Sequence, residues 1–391
     1  MNTTTVILGG GFGGIHAANT LRRLVPAEHE VVVIDKGDRF YLGAGKTWVM
    51  LGERSLDHIS RPIPDLLEPG VQFVQAVVES IDVNGKRVIA NDRTWSWDHL
   101  VIGLGADCDW NVLPGLTEES QHFYTPAAAR RLQDELAKFV AGKLVILVAR
   151  TPFKCPPAPY EAAMLLAHHF KSRGLGDRVQ IAVYTVEGAP MATAGPEMGQ
   201  FIRGQLAERQ IAFHPGKQAT RIDGAGRSIA FADGTDTDYD FLIVIPPHGA
   251  PKVVRDAGLT GASGWIPVEP QTLAVKESAT GVYAIGDVTS VSLPGRFKPD
   301  MPLVLPKAGV FAEAHGRVAA HQIAAKILGQ KPEEIFDGQG HCYLEVGGGQ
   351  AVKGEGSFFA MPHPMMTKRS PDQSQFQDKL DWASALLKPL R

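Results

Sequence analysis

The sequence predicts an α/β fold of two parallel-sheet units, the first interrupted by the second, followed by a C-terminal segment. Three observations carry this: a strand, glycine turn, helix and second strand at the N-terminus; a second strand and helix at residues 143–170; and a short apolar strand ending in Gly286-Asp287. The length of 391 residues is enough for two or three packed units, each with its own core. A net charge of −3, with no long run of one sign, excludes the electrostatic footprint of a nucleic-acid binder. No uncharged apolar stretch approaches the ~20 residues that a membrane-spanning helix needs. The start, MNTTTVILGGGFGG, enters an apolar run at once, without a basic segment and apolar leader, so a cytoplasmic location is expected. Cys108, Cys155 and Cys342 are too few for a secreted scaffold and too scattered for zinc, and no metal is expected. Oxidation among them would belong to chemistry rather than stapling.

The first element is the strand beginning at Thr5, followed by Gly9-x-Gly11-x-x-Gly14, an Ala/Leu-rich helix, and the strand Glu30-Val-Val-Val-Ile34 that ends at Asp35. The turn suits a pyrophosphate. Gly9 allows it to be tight, Gly11 lets phosphate approach the backbone, and Gly14 lets helix and strand pack closely, with the helix N-terminus facing the anion. Asp35 follows Gly14 by 21 residues, near the spacing of about 20 expected for a carboxylate on a ribose hydroxyl. Strand, turn, helix, second strand and acid in that order specify a Rossmann-like dinucleotide-binding unit.

The second unit has the strand KLVILVA at 143–149 and the helix YEAAMLLAHHF at 160–170, but its glycine turn is missing. Arg150-Thr-Pro-Phe-Lys-Cys155-Pro-Pro-Ala-Pro-Tyr160-Glu161 has four prolines and no glycine. Proline removes N–H donors and stiffens the chain, so this turn offers no close backbone approach to pyrophosphate. It holds instead a cysteine at a strand-to-helix turn, where a helix N-terminus lowers a thiol pKa.

Downstream, Gly281-Val-Tyr-Ala-Ile-Gly286-Asp287 ends a strand in a carboxylate. With the N-terminal unit and Leu100-Val-Ile-Gly-Leu-Gly105, it resembles the trio carried by flavoproteins with two dinucleotide-binding domains, of the glutathione-reductase-like kind. The middle element departs from the usual Ala-Thr-Gly and keeps only its last glycine, Gly105. Cys155-Pro-Pro-Ala-Pro-Tyr-Glu161, Cys342 before an acidic, glycine-rich strand, Leu305-Pro-Lys307-Ala-Gly309 and Trp48-Val-x-x-Gly52 together resemble the family of sulfide:quinone oxidoreductases and flavocytochrome c sulfide dehydrogenase flavoproteins. The proline loop is closest to the flavocytochrome branch.

The resemblance implies FAD in a discontinuous domain, 1–110 and 265–330, a second Rossmann-like domain at 111–264, and a C-terminal segment at 331–391. The implied cofactor contacts are Gly9, Gly11, Phe12, Gly13, Gly14, Asp35, Lys36, Trp48, Val78, Gly105, Gly286, Asp287, Lys307, Ala308 and Gly309. It also implies a redox disulfide between Cys155 and Cys342. Sulfide attacks one sulfur, leaving a persulfide and a thiolate, and two electrons pass to FAD. Glu161 handles protons, while Lys307 and the helix starting near Val310 stabilise charge on reduced flavin. Two family features are missing. Gln121-His122-Phe123 has no thiol where some quinone-reducing relatives carry a third cysteine, and Tyr41-Leu42-Gly43 lacks the cysteine that tethers flavin in the flavocytochrome branch, so FAD is expected to be non-covalent.

The bland alternative for Cys155 is a buried structural thiol, against which stand the prolines crowding it at a helix start; Cys342, read without the family, is an ordinary strand cysteine; and the alternative for Lys307 is a surface lysine, against which stands its place after the Asp287 strand. Cys108 lies between Asp107 and Asp109, which disfavour a thiolate, and is structural. His168-His169 on an amphipathic helix is a packed and a solvated histidine. In the tail, Phe358–Met366 is soft and apolar, and Leu380, Ala383, Leu387 and Leu390 form a helical stripe beside Trp382 and Leu386. With Lys379, Lys388 and Arg391 at its borders this is either an interfacial helix on an anionic inner leaflet or a helix docked on the protein or a second subunit, making a homodimer. The expected partners are sulfide and a quinone, or a cytochrome c in the flavocytochrome alternative. The absent glycine turn counts against an NADH:quinone oxidoreductase, and a non-catalytic redox sensor is the remaining alternative.

Overall fold

The computed structural model describes residues 3–117 and 120–390. Its first sheet has five parallel strands in the order Val282–Ala284, His99–Ile102, Thr4–Leu8, Glu30–Asp35, Val71–Gln75. Val6, Ile7, Leu8, Val33, Ile34 and Leu100–Ile102 are fully buried. Both faces of this sheet are covered, which is why its strands read as continuous apolar runs rather than alternating ones.

The helix Phe12–Leu24 crosses the helix Gly309–Leu328 on one face. The crossing is close because Gly316 has no side chain. A Cβ there would lie 2.2 Å from the Gly13 carbonyl oxygen and 2.9 Å from the Ala17 nitrogen. Residues far apart in sequence, on either side of the second unit, are thereby locked into one layer.

The second sheet is also parallel, ordered Ala212–His214, Val179–Thr185, Gly142–Val148, Phe241–Ile245. The helix Ala158–Ser172 packs on it with Ala162, Ala163, Met164 and Leu166 fully buried. The α/β class expected from the sequence is the class observed.

The C-terminal segment forms an antiparallel sheet, Gln339–Gly347, Gln350–Ser357 and Met365–Lys368, and the helix Gln373–Leu386. It has no core of its own: Leu344, Val346, Val352 and Ala383 join the cluster that holds Ile146, Tyr160 and Met164 of the second unit. Of the two expectations for the tail helix, the docked one describes it. Ala383 and Leu387 are buried and only Leu390, at 47%, is well exposed. Lys379, expected at a lipid-facing border, is turned inward and is 1% exposed. Arg391 lies outside the described residues, and no helix among them is long and apolar enough to cross a membrane.

Overfilling a close helix crossing costs about 1–3 kcal/mol. Gly316→Ala is therefore expected to destabilise the protein by that amount, read as a lower urea midpoint with an unchanged slope.

Candidate active site

The glycine turn has the geometry of a phosphate cradle. Gly9 has φ +102°, and a Cβ on it would lie 2.3 Å from the Gly103 carbonyl oxygen; one on Gly14 would lie 1.8 Å from that of Gly9. A Cβ on Gly11 would meet nothing within 4 Å, so the backbone there faces open space. Gly11 caps the helix with no side-chain hydrogen bond, leaving first-turn N–H groups for an anion. The Asp35 carboxylate ends the second strand beside this turn, accepting from the N–H groups of Gly10 (2.6 Å) and Gly37 (2.7 Å).

From the turn a cavity of about 290 Å³ runs between the two sheets. Gly11, Phe12, Gly13, Gly105, Gly286, Asp287, Lys307, Ala308 and Gly309 of the expected cofactor contacts line it, together with Cys155, Glu161 and Cys342. Turn and cavity fit FAD: the uncapped helix start at Gly11 would hold its pyrophosphate, and the lining from Gly286 to Gly309 would face its ring. Gly9, Gly14, Asp35 and Lys36 build the turn and its flank, and Val78 opens the strand Val78–Asp82 beyond them. Trp48 stands elsewhere. It is 2% exposed, outside the cavity lining, and its indole N–H donates to the Glu345 carboxylate at 2.7 Å.

Both redox-candidate cysteines are half-buried free thiols. Cys155 has φ +62°, a left-handed conformation that a non-glycine residue adopts at a cost of about 1–3 kcal/mol. Its N–H donates to the Lys307 carbonyl at 2.7 Å, so the proline loop is stitched to the segment that lines the cavity's other side. The lowered thiol pKa expected from the helix N-terminus is not found. The helix begins at Ala158, three residues on, and burial, aided by Glu161, pushes the Cys155 thiol up to about 12. Burial raises Cys342 likewise.

Lys307 lines the cavity, with Nζ donating to the carbonyls of Asp287 (2.6 Å) and Thr289 (3.1 Å) and lying 3.3 Å from the Trp265 ring centroid. Burial lowers it to about 8. A second cation, Lys46, also lines the cavity, lowered to about 8 by burial and by Lys154. Nothing in the glycine-flanked Gly45-Lys46-Thr47 distinguished it. A second, mainly apolar chamber of about 380 Å³ shares Lys307, Ala308, His341 and Cys342 with the first, and is walled by Phe153, Pro156, Met191, Leu305, Phe358 and Met366.

Beneath Cys155, the buried Lys379 ammonium lies between two buried carboxylates, 2.5 Å from Glu345 Oε1 and 3.3 Å from Glu161 Oε1. Glu161 Oε2 accepts the Glu345 backbone N–H at 3.0 Å. Burial works against the charge on Lys379, but Glu161 and Glu345 outweigh it and hold the ammonium above its ordinary pKa. Burial raises Glu161 against the pull of Lys379, and the Glu345 charge adds to the rise. The sequence puts Lys379 at a lipid-facing border rather than in the site and does not single out Glu345. The available signal was spacing: Lys379 precedes the buried Ala383 and Leu387 by four and eight residues, which places it on the helix's packed face. Trp382, from the same helix, lines the cavity with its ring 6.3 Å from that of Phe12 and nearly parallel.

A profile of the pyridine nucleotide-disulphide oxidoreductase family matches residues 3–316. The mitochondrial sulfide:quinone oxidoreductase of Mus musculus is 24% identical over 375 residues, spanning 91% of this chain and 78% of that one. The sulfide-quinone reductase of Aquifex aeolicus is 25% identical over 381 residues, spanning 91% and 83%. A demethylphylloquinone reductase of Synechocystis is 36% identical over 296 residues, spanning 72% and 70%. In three dimensions, the sulfide:quinone oxidoreductase of Aquifex aeolicus superposes with a TM-score of 0.86 at 21% identity, covering 98% of this chain and 90% of that one. By its glycine cradle, its two parallel sheets and these similarities, the chain belongs to the FAD-dependent pyridine nucleotide-disulphide oxidoreductase family.

Proposed function

We propose that this protein oxidises sulfide through a Cys155–Cys342 redox pair and passes the electrons through non-covalent FAD to a quinone. The observation that carries the reading is that two cysteines 187 residues apart line one cavity with Glu161 and the Gly286–Gly309 segment. In the oxidised pair, hydrosulfide attacks one sulfur. A bond forms between the sulfide sulfur and that cysteine, the bond between the two cysteines breaks, and the other cysteine leaves as a thiolate. Sulfide sulfur has then lost two electrons and stands as a persulfide. Bound FAD would supply the two-electron acceptor for the pair left on the cysteine thiolate, with the quinone as the final oxidant.

The chain's own residues fit the parts. Burial raises both thiols, while the Lys379 charge pulls each of them down and Lys46 does the same for Cys155, so the cations beside the pair favour a departing thiolate. Glu161, buried at the wall, is placed to exchange a proton with incoming sulfide and the sulfur product. Lys46 and Lys307 supply positive charge on the lining. The apolar second chamber reaches Cys342 from outside the flavin cavity and suits the entry of sulfide, including a second sulfide that takes the outer sulfur off the persulfide as hydrogen disulfide and leaves a cysteine thiolate. Quinone as acceptor is supported by relatives on two branches whose names carry it, those acting on sulfide and the demethylphylloquinone reductase. Tyr41 lines the cavity where a flavin tether would need a cysteine.

A nicotinamide nucleotide as electron donor is disfavoured by the second unit. Its turn carries prolines, and the Glu187 carboxylate just past the strand Val179–Thr185 accepts from the Tyr160 hydroxyl at 2.6 Å and from Thr185 at 3.3 Å. The position corresponding to a ribose-binding acid is already hydrogen-bonded within the protein.

Anaerobic addition of sulfide is expected to bleach the flavin absorbance, NADH to leave it unchanged, and a short-chain quinone to restore it; restoration by oxidised cytochrome c alone would move the acceptor to that protein. Cys155→Ser and Cys342→Ser are each expected to retain FAD and to lose turnover with sulfide by at least about 100-fold. Full turnover in both variants overturns the mechanism. Acid precipitation is expected to release the yellow cofactor into the supernatant. In the reduced protein at pH 8, a Cys155 pKa of about 12 leaves roughly one thiol in ten thousand ionised. Alkylation by iodoacetamide, followed by mass spectrometry, is accordingly expected to be about a thousandfold slower than for an ordinary exposed cysteine.

A further inference from the structure

The Glu161–Lys379–Glu345 cluster contains two carboxylates and one ammonium, all at most 5% exposed, and so carries one negative charge in excess. An uncompensated charge at such a site is expensive, and a proton is the simplest way to remove it. The geometry says which carboxylate takes it. Glu345 Oε1 receives both the shorter contact from Lys379, 2.5 Å, and the indole N–H of Trp48 at 2.7 Å, two donors that favour its ionised form. Glu161 receives the longer Lys379 contact, 3.3 Å, and one backbone N–H, and it alone of the two lines the flavin cavity.

We infer that Glu345 is a positioning residue for proton transfer at Glu161: by drawing the Lys379 ammonium onto its own carboxylate, it leaves Glu161 able to keep and release a proton at the cavity wall. The inference rests on Glu161 as the proton-handling group of the proposed reaction. Charged and titratable groups surround Glu161, and the cations among them oppose its keeping a proton. Cys155 from the proline loop and Cys342 from the C-terminal strand add no positive charge. Lys46, Lys154 and Lys307 line the same cavity and favour an ionised Glu161, Asp287 opposes them, and Lys379 from the tail helix is the cation in contact. Behind Trp48, the Arg54 guanidinium lies 4.4 Å from the indole centroid, while Glu53 adds a further carboxylate that feels Glu345.

Removing the Glu345 charge while keeping its shape frees Lys379 for Glu161 and removes a repulsion, so both effects lower the proton affinity of Glu161. Glu345→Gln keeps an amide oxygen for the Trp48 N–H, which preserves the packing.

The test is infrared difference spectroscopy of the FAD-loaded protein across pH, following the stretch of a protonated, buried carboxylic acid, and it needs no sulfide. The parent is expected to show such a band, absent in Glu161→Gln. In Glu345→Gln its midpoint falls by about one pH unit or more, a tenfold loss of proton affinity, and Glu345→Asp returns it toward the parent. The ionisation seen in the pH profile of sulfide-dependent flavin bleaching moves by the same amount. An unmoved midpoint in Glu345→Gln, a band that survives in Glu161→Gln, or no band in the parent at any pH overturns the inference. If the midpoint falls but sulfide never bleaches the flavin, the role of Glu345 stands and the assignment of sulfide as electron donor fails.

Discussion

The buried ammonium of Lys379 is the constraint on which the site depends. Its two carboxylate partners come from different parts of the chain, Glu161 from the first turn of the second unit's helix and Glu345 from the C-terminal strand, and the lysine itself from the last helix. Trp48 of the N-terminal unit completes the junction through its indole N–H. Hydrophobic contact alone would let the C-terminal sheet slide along the second unit. A set of buried charges permits one register, because removing a partner from such a set costs about 3–5 kcal/mol. That register sets Cys342, three residues before Glu345, on the cavity that Cys155 reaches from the proline loop.

A second fastening acts from the other side. The Cys155 N–H to Lys307 carbonyl bond joins the proline loop to the segment that leads into the long helix Gly309–Leu328, and that helix crosses the first one at Gly316. The phosphate cradle and the thiol are therefore tied to each other through backbone rather than through side chains. Backbone ties tolerate changes in charge and redox state better than ion pairs do. Under the proposed mechanism, this suits a loop whose cysteine exchanges bonds while the turn beneath it stays still.

The fold was legible because it is written in backbone requirements and local periodicity. Gly9, Gly11 and Gly14 are where a side chain would collide with a carbonyl or block the phosphate, and the buried parallel strands leave unbroken apolar runs. The loss of the second glycine turn was visible for the same reason. The site was legible only where a motif marked it. Lys379 read as a lipid-facing border of an apolar stripe, since sequence reports which side of a helix a residue occupies and not what that side meets. Glu345 and Lys46 have no local pattern, because their partners are hundreds of residues away or on another strand's end. The expected lowering of the thiol pKa rests on a real effect, since a helix N-terminus favours a thiolate, but three residues of separation weaken that dipole while burial acts on the sulfur directly.

Tyr160 links the two halves of the functional argument. It belongs to the Cys-Pro-Pro-Ala-Pro-Tyr-Glu run, so the same turn that presents Cys155 and Glu161 to the flavin cavity sends a hydroxyl the other way, onto Glu187. Closing the ribose-binding position and opening a thiol site are thus one local change, made by proline and tyrosine in place of glycine. The chamber walled by Phe153, Pro156 and Met191 follows from it, because side chains that fill the pyrophosphate's path also make that path apolar. A charged dinucleotide is poorly matched to such a lining, whereas a small neutral sulfur species loses little on leaving water. On the proposed reading, the selectivity for donor lies in the lining that stands in place of a glycine turn, and not in the flavin cradle, which keeps the general design of its family.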